Sequence, residues 1–166
     1  MRVLQLCCFT NLWPKEIEVV SFDLKLGNNI FDINQVYANA FDLIVSAPVC
    51  TQFTKANVRN WLNNPVSDLK LLQQCFNLSV NSGKPWFLEN PPGRLLSLFP
   101  QLKQFRRCTY QCANLNKEYV VYSNLLLLYS ANKRYGKHHL PRSKSEREQW
   151  SPDFVEFLYK QYLFSL

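Results

Sequence analysis

Apolar residues in this chain arrive as short, mostly β-branched runs separated by Asn, Pro and Gly. Val3-Leu4-Gln5-Leu6, continued by Cys7-Cys8-Phe9, predicts a buried strand, and Glu18-Val19-Val20-Ser21-Phe22-Asp23 predicts a second that ends on a carboxylate. Between them, Pro14 to Ile17 leaves room for one short helix. Phe41-Asp42-Leu43-Ile44-Val45-Ser46 predicts a central strand feeding a loop at Ala47-Pro48 that carries Cys50. The period then changes. Apolar residues at 66, 69, 72, 76 and 80 predict a helix, with Pro65 or Ser67 near its start and Ser82-Gly83 stopping it. Pro85-Trp86-Phe87-Leu88 predicts a further strand that runs into Glu89-Asn90-Pro91-Pro92, where prolines end regular pairing. Cys108 to Cys112 and Tyr119 to Ser123 predict two more strands, and Pro152 to Phe164 a closing helix with proline in its first turn.

Strands alternating with helices imply an α/β fold with a mostly parallel sheet, in which ligands collect outside the carboxyl ends of the strands. Asp23, Cys50 and Glu89 all fall at such ends. At 166 residues the chain is expected to form one domain, 1–166. Hydrophobic residues at 47% and charged residues at 19% exclude a disordered polyelectrolyte. The longest apolar runs, such as Leu125 to Tyr129, are too short to span a bilayer, and the N-terminus has no signal-peptide pattern, so no membrane role and a cytoplasmic location are expected.

The formal charge of +7, concentrated in Lys133 to His139 and Arg142 to Arg147, favours a polyanionic partner such as DNA, although a solvated charged loop explains it equally well. Lys55, Arg59 and Trp61 form a basic, aromatic stretch suited to base contacts, with Trp61 in the core as the plainer reading. Six cysteines without a CxxC spacing read as free thiols. Cys108, Cys112, His138 and His139 match no common zinc pattern, so no metal is expected.

A cysteine beyond a strand end in a basic protein is placed to ionise and act as a nucleophile, whereas an isolated cysteine is more often a small buried hydrophobe. The segment Asp42 to Thr54, with its strand followed by Pro48-Val49-Cys50, resembles the nucleophile loop of the cytosine-5 DNA methyltransferases. Val49 stands where that family has a second proline. Pro85-Trp86-Phe87-Leu88-Glu89-Asn90-Pro91 is similar to the family's next signature, an apolar strand ending in Glu-Asn. Thr109-Tyr110-Gln111-Cys112, Lys117 and Val121-Tyr122-Ser123-Asn124 partly match a late block of its small phage-type members.

The resemblance runs from about residue 3 to residue 124. It implies a Rossmann-like class I methyltransferase sheet without a target-recognition domain, and S-adenosylmethionine as methyl donor. Cys50 would add to carbon 6 of a cytosine extruded from DNA, and Glu89 would bind the ring nitrogen and exocyclic amine. Asn90, Lys117 and Asn124 would contact substrate. Asp23, Asp32, Phe9, Ser46 and Pro48 would line the donor site, Asp23 holding the ribose; for both aspartates an ordinary turn residue is the alternative. The phage-type resemblance extends the expected location to a host cytoplasm. The chain departs from the family also at the donor loop: the glycine-rich turn after the first strand is replaced by Cys7-Cys8-Phe9-Thr10-Asn11. Two other readings therefore stay open, an inactive relative that binds DNA or a partner, and a cysteine-dependent nucleotide-modifying enzyme with another donor.

Overall fold

Strands that are apolar on both faces need cover on both, and that requirement organises this chain. In β1 (Arg2–Leu6), β3 (Leu43–Ser46) and β4 (Trp86–Asn90) nearly every side chain is buried. The structure is a computed structural model and describes residues 1–8, 10, 12–50, 53, 66–112, 117–126 and 150–166; the side chains of residues 66, 67, 112 and 117 are outside that description.

The architecture is α/β. A six-stranded sheet has the order β2-β1-β3-β4-β6-β5, where β2 is Glu18–Phe22, β5 Arg106–Cys112 and β6 Lys117–Ser123. β1 pairs in parallel with β2 and β3, and β3 with β4, while β6 inserts antiparallel between β4 and β5. The sheet is thus mostly parallel, as the alternating pattern predicts. The hairpin that reverses β6 back beside β4 was not foreseen, because the two late runs carry no signal of which neighbour they pair with.

Alternation along each strand divides the core in two. Leu4, Leu6, Ile44, Trp86 and Leu88 face one layer, covered by Leu72, Cys75 and Phe76 of α2 (Val66–Asn81). Val3, Leu43, Val45, Phe87 and Val121 face the other, covered by Phe154, Val155 and Leu158 of the closing helix Pro152–Leu163. That helix begins at Ser151, whose hydroxyl accepts from the Phe154 amide at 3.2 Å, followed by Pro152 in the first turn. The stacked rings of Tyr119 and Phe154, 4.1 Å between centroids, pin it to β6.

Two connections differ from expectation. Pro14 to Ile17 forms a turn, closed by the Ile17 amide on the Pro14 carbonyl at 3.0 Å, and the described residues between β1 and β2 contain no helix. The passage from β2 to β3 holds two 3-10 turns, Leu24–Leu26 and Ile30–Asp32, and a single-turn helix α1 (Gln35–Ala38). Each starts on an Asp or Asn whose side chain accepts a backbone amide: Asp23, Asn29 and Asn34. Beyond β4 lie α3 (Leu95–Leu98) and a 3-10 stretch, Pro100–Gln104; the closing helix is accordingly α4. Among the described residues no helix is long and apolar enough to cross a membrane.

Candidate active site

The chain leaves β1 toward β2 on one side and reaches β3 on the other, so the strand order reverses between β1 and β3. At such a switch point the connecting segments part and leave a crevice beyond the carboxyl ends. The residues there are Cys7 and Cys8 after β1, Asp23 after β2, Ala47 to Cys50 after β3, and Glu89 and Asn90 closing β4.

Three links hold the Cys50 loop. The buried Asn90 amide donates from Nδ2 to the Pro48 carbonyl at 3.2 Å, tying the loop to the end of β4. The Phe53 amide donates to the Cys50 carbonyl, and the Arg94 amide to the Phe53 carbonyl, both at 2.8 Å. Phe53 itself is fully buried and anchors the turn in the α2 layer. Cys50 is left half-buried and reduced on this braced turn. Pro48 is buried and serves here through its carbonyl. Ser46 is fully buried, and its hydroxyl donates to the Phe87 carbonyl at 3.4 Å. It holds β3 to β4.

Glu89 is the exceptional side chain, a carboxylate only 6% exposed at the end of a central strand. The sequence pattern put it at a strand end, and in the structure Glu89 and Asn90 are the last residues of β4, paired with Val121 and Val120 of β6. Glu89 shares the face of Phe87, toward α4, where Trp150 donates from Nε1 to its Oε2 at 3.1 Å. Asn90, 1% exposed, faces the α2 side, and its Oδ1 meets no hydrogen-bond partner among the described residues. Trp150 has no counterpart in the sequence reading: a single Trp ahead of a proline-started helix reads as packing, and only the fold returns it to the end of β4.

On the β1 side, Cys7 adopts φ 57°, the left-handed conformation that glycine ordinarily supplies. The turn after β1 thus keeps a backbone shape suited to glycine with a cysteine in it. Its Sγ lies 3.9 Å from that of Cys75. Burial pushes the Cys8 thiol well above its usual range, with Cys7 and the negative charges of Glu89 and Asp23 adding to the effect. Burial, with the Cys7 contact, does the same to Cys75.

Asp23 is half-buried and caps the turn Leu24–Leu26, accepting from the Lys25 amide at 2.8 Å through Oδ1, while its own amide donates to Asn28 Oδ1 at 2.9 Å. It is a turn residue, and it stands at the crevice. A cleft of about 410 Å³ is lined by Thr10, Trp13, Lys15, Ser21 and Leu26 among others, the last two close to Asp23 in sequence.

Other expected residues fall elsewhere. Asp32 is exposed at the end of the second 3-10 turn. Asn124 follows β6 at the opposite end of the strands, where β4 begins. There it accepts from the Trp86 amide at 3.0 Å and donates to the Lys84 carbonyl at 2.9 Å, because antiparallel β6 carries its carboxyl end to where β4 begins. In this position Asn124 clamps the end of β6 to the start of β4. Lys117 opens β6 beyond the carboxyl end of β4, by the same register. Phe9, Lys55, Arg59, Trp61 and the basic segment 133–147, with His138 and His139, lie outside the described residues. Among the described residues no group of His, Cys, Asp or Glu could hold a metal ion.

No protein-family model and no curated protein sequence matches the chain. Among solved structures it is similar to the Entamoeba histolytica methyltransferase EhMeth, with 14% identity, a TM-score of 0.45, and coverage of 86% of this chain and 57% of that one. The chain thus spans little more than half the length of that protein.

Proposed function

We propose that this chain is a methyltransferase-like protein of the cytosine-5 type, acting on DNA through Cys50 and Glu89. The observation that carries the proposal is the arrival of a braced, half-buried cysteine and a buried carboxylate at the carboxyl ends of adjacent strands, β3 and β4, beside the switch point. The strand order supports a Rossmann-like reading, and Pro48-Val49-Cys50 and Glu89-Asn90 lie at the carboxyl ends of β3 and β4.

The Cys50 thiolate would add to carbon 6 of an extruded cytosine, forming an S–C bond as the 5,6 double bond opens. Glu89 would donate a proton to ring nitrogen 3 and so absorb the developing charge, making carbon 5 nucleophilic. Bound S-adenosylmethionine supplies the methyl group that carbon 5 takes up. Loss of the carbon 5 proton to water would then re-form the double bond and expel Cys50 as the thiolate, with the proton on ring nitrogen 3 returning to Glu89. Asp23 and the cleft lined by Trp13, Ser21 and Leu26 would hold the donor's nucleoside, and Asn90 would keep the cysteine loop in place.

A second reading is favoured by the turn after β1, which has no glycine, and by the absence of a helix among the described residues between β1 and β2. It is a DNA-binding relative that no longer holds the donor. Duplex DNA containing 5-fluorocytosine separates the two. With S-adenosylmethionine present, the enzyme reading expects a covalent adduct at Cys50 by mass spectrometry, lost in Cys50→Ala. DNA binding without any adduct favours the second reading, and neither binding nor adduct sinks both.

A further inference from the structure

At the leading edge of α4 the indole of Trp150 donates to the Glu89 carboxylate of the candidate active site, 3.1 Å from Nε1 to Oε2. Both groups are buried, at 6% exposure each, so water competes little for the bond. Trp150 is fixed from its own side by an edge-to-face contact with Phe154, 5.2 Å between centroids, and Phe154 in turn stacks on Tyr119. A rigid column therefore runs from β6 through α4 to the carboxylate.

We propose that Trp150 is a positioning residue that assigns the two oxygens of Glu89 their separate tasks, an inference resting on the reading of Glu89 as the base-binding acid. An indole N–H only donates. Oε2 therefore faces a donor in either protonation state, and any proton Glu89 carries resides on Oε1. A carboxyl held in this way presents Oε1–H to ring nitrogen 3, while Oε2, which can accept a second hydrogen bond, receives the exocyclic amine. Thymine, with a carbonyl in place of that amine and a hydrogen on nitrogen 3, meets an acceptor and a donor in the wrong places. Trp150 thus contributes to selecting cytosine without touching the base.

Other groups bear on the same carboxylate. Cys8, after β1, is close enough for Glu89 to raise its thiol, and that thiol stays neutral near pH 7. From β4 the neighbour Asn90 faces the opposite layer, and from β6 the paired residue is the apolar Val121.

The test is titration of the full chain by NMR, following the Glu89 side-chain carbon and the Trp150 indole N–H together. The inference expects the indole resonance to move with the same midpoint as Glu89 and to lose that movement in Glu89→Gln. In Trp150→Phe, loss of a donor to the ionised form should raise the Glu89 midpoint by about one pH unit. An indole resonance indifferent to pH, or one that still titrates in Glu89→Gln, overturns it, and neither outcome depends on Trp150→Phe folding. The catalytic reading is judged separately, by capture of 5-fluorocytosine DNA. A linked titration without capture retains Trp150 as the residue orienting Glu89 and rejects the enzyme.

Discussion

Cys50 and Glu89 differ in how deeply the fold commits to them, and their substitutions should differ accordingly. Cys50 is half-buried, so Cys50→Ala should change stability by no more than about 0.5 kcal/mol while abolishing covalent capture. Glu89→Gln keeps the shape and an acceptor for Trp150 but removes the acid, and should slow capture by roughly 10²-fold or more in a time course on 5-fluorocytosine DNA. Cys7 offers a test of backbone strain that needs no ligand. Alanine is ordinarily the more favourable residue; at a left-handed position the order inverts. Cys7→Gly should therefore be more stable than Cys7→Ala by about 1 kcal/mol in urea unfolding. Equal stabilities would show that the turn relaxes out of that conformation.

At the scale of elements, α4 does two jobs: it covers one face of the sheet and delivers Trp150 to the end of β4. Phe154 joins those jobs, stacked on Tyr119 and touching Trp150. Phe154→Ala should cost about 3–5 kcal/mol in chemical denaturation, the range for emptying a buried aromatic site, and should loosen the Trp150 indole resonance as well. A large loss of stability with an unmoved indole would mean that Trp150 is held by something other than the helix. The helix itself was readable from its Ser-Pro start and apolar spacing, whereas its role beside Glu89 was not, because amphipathic spacing shows which face is buried and not against which strand.

Across the whole molecule, burial of weak acids makes the fold sensitive to alkali. Burial pushes the Cys108 thiol up to about 11, with Arg107 opposing, and raises Cys8 and Cys75 as well as the phenols of Tyr122 and Tyr162. Each of these groups is harder to ionise folded than unfolded. Their contribution is fully present below the unfolded values, near pH 9 for the thiols, and is lost as pH rises through the folded ones. Urea midpoints should therefore fall between about pH 9 and 11, and Cys108→Ala should lessen the fall. A flat profile across that range would mean that the buried thiols become exposed before they ionise.

The sequence by itself determined the strands of the parallel core, the helices Val66–Asn81 and Pro152–Leu163 to within a residue or two, and the gathering of Asp23, Cys50 and Glu89 at strand ends. Those features are local: side-chain period, turn residues and caps act within a few positions of one another. Tertiary structure alone decided that β6 lies between β4 and β5, which places Asn124 as a clamp at the amino end of β4. It also decided that Asn90 braces the Pro48 carbonyl across 42 positions and that Trp150 meets Glu89 across 61. Contacts at such separations follow from strand order and helix placement, which depend on how all the apolar faces are covered at once and leave no mark in any short stretch of chain.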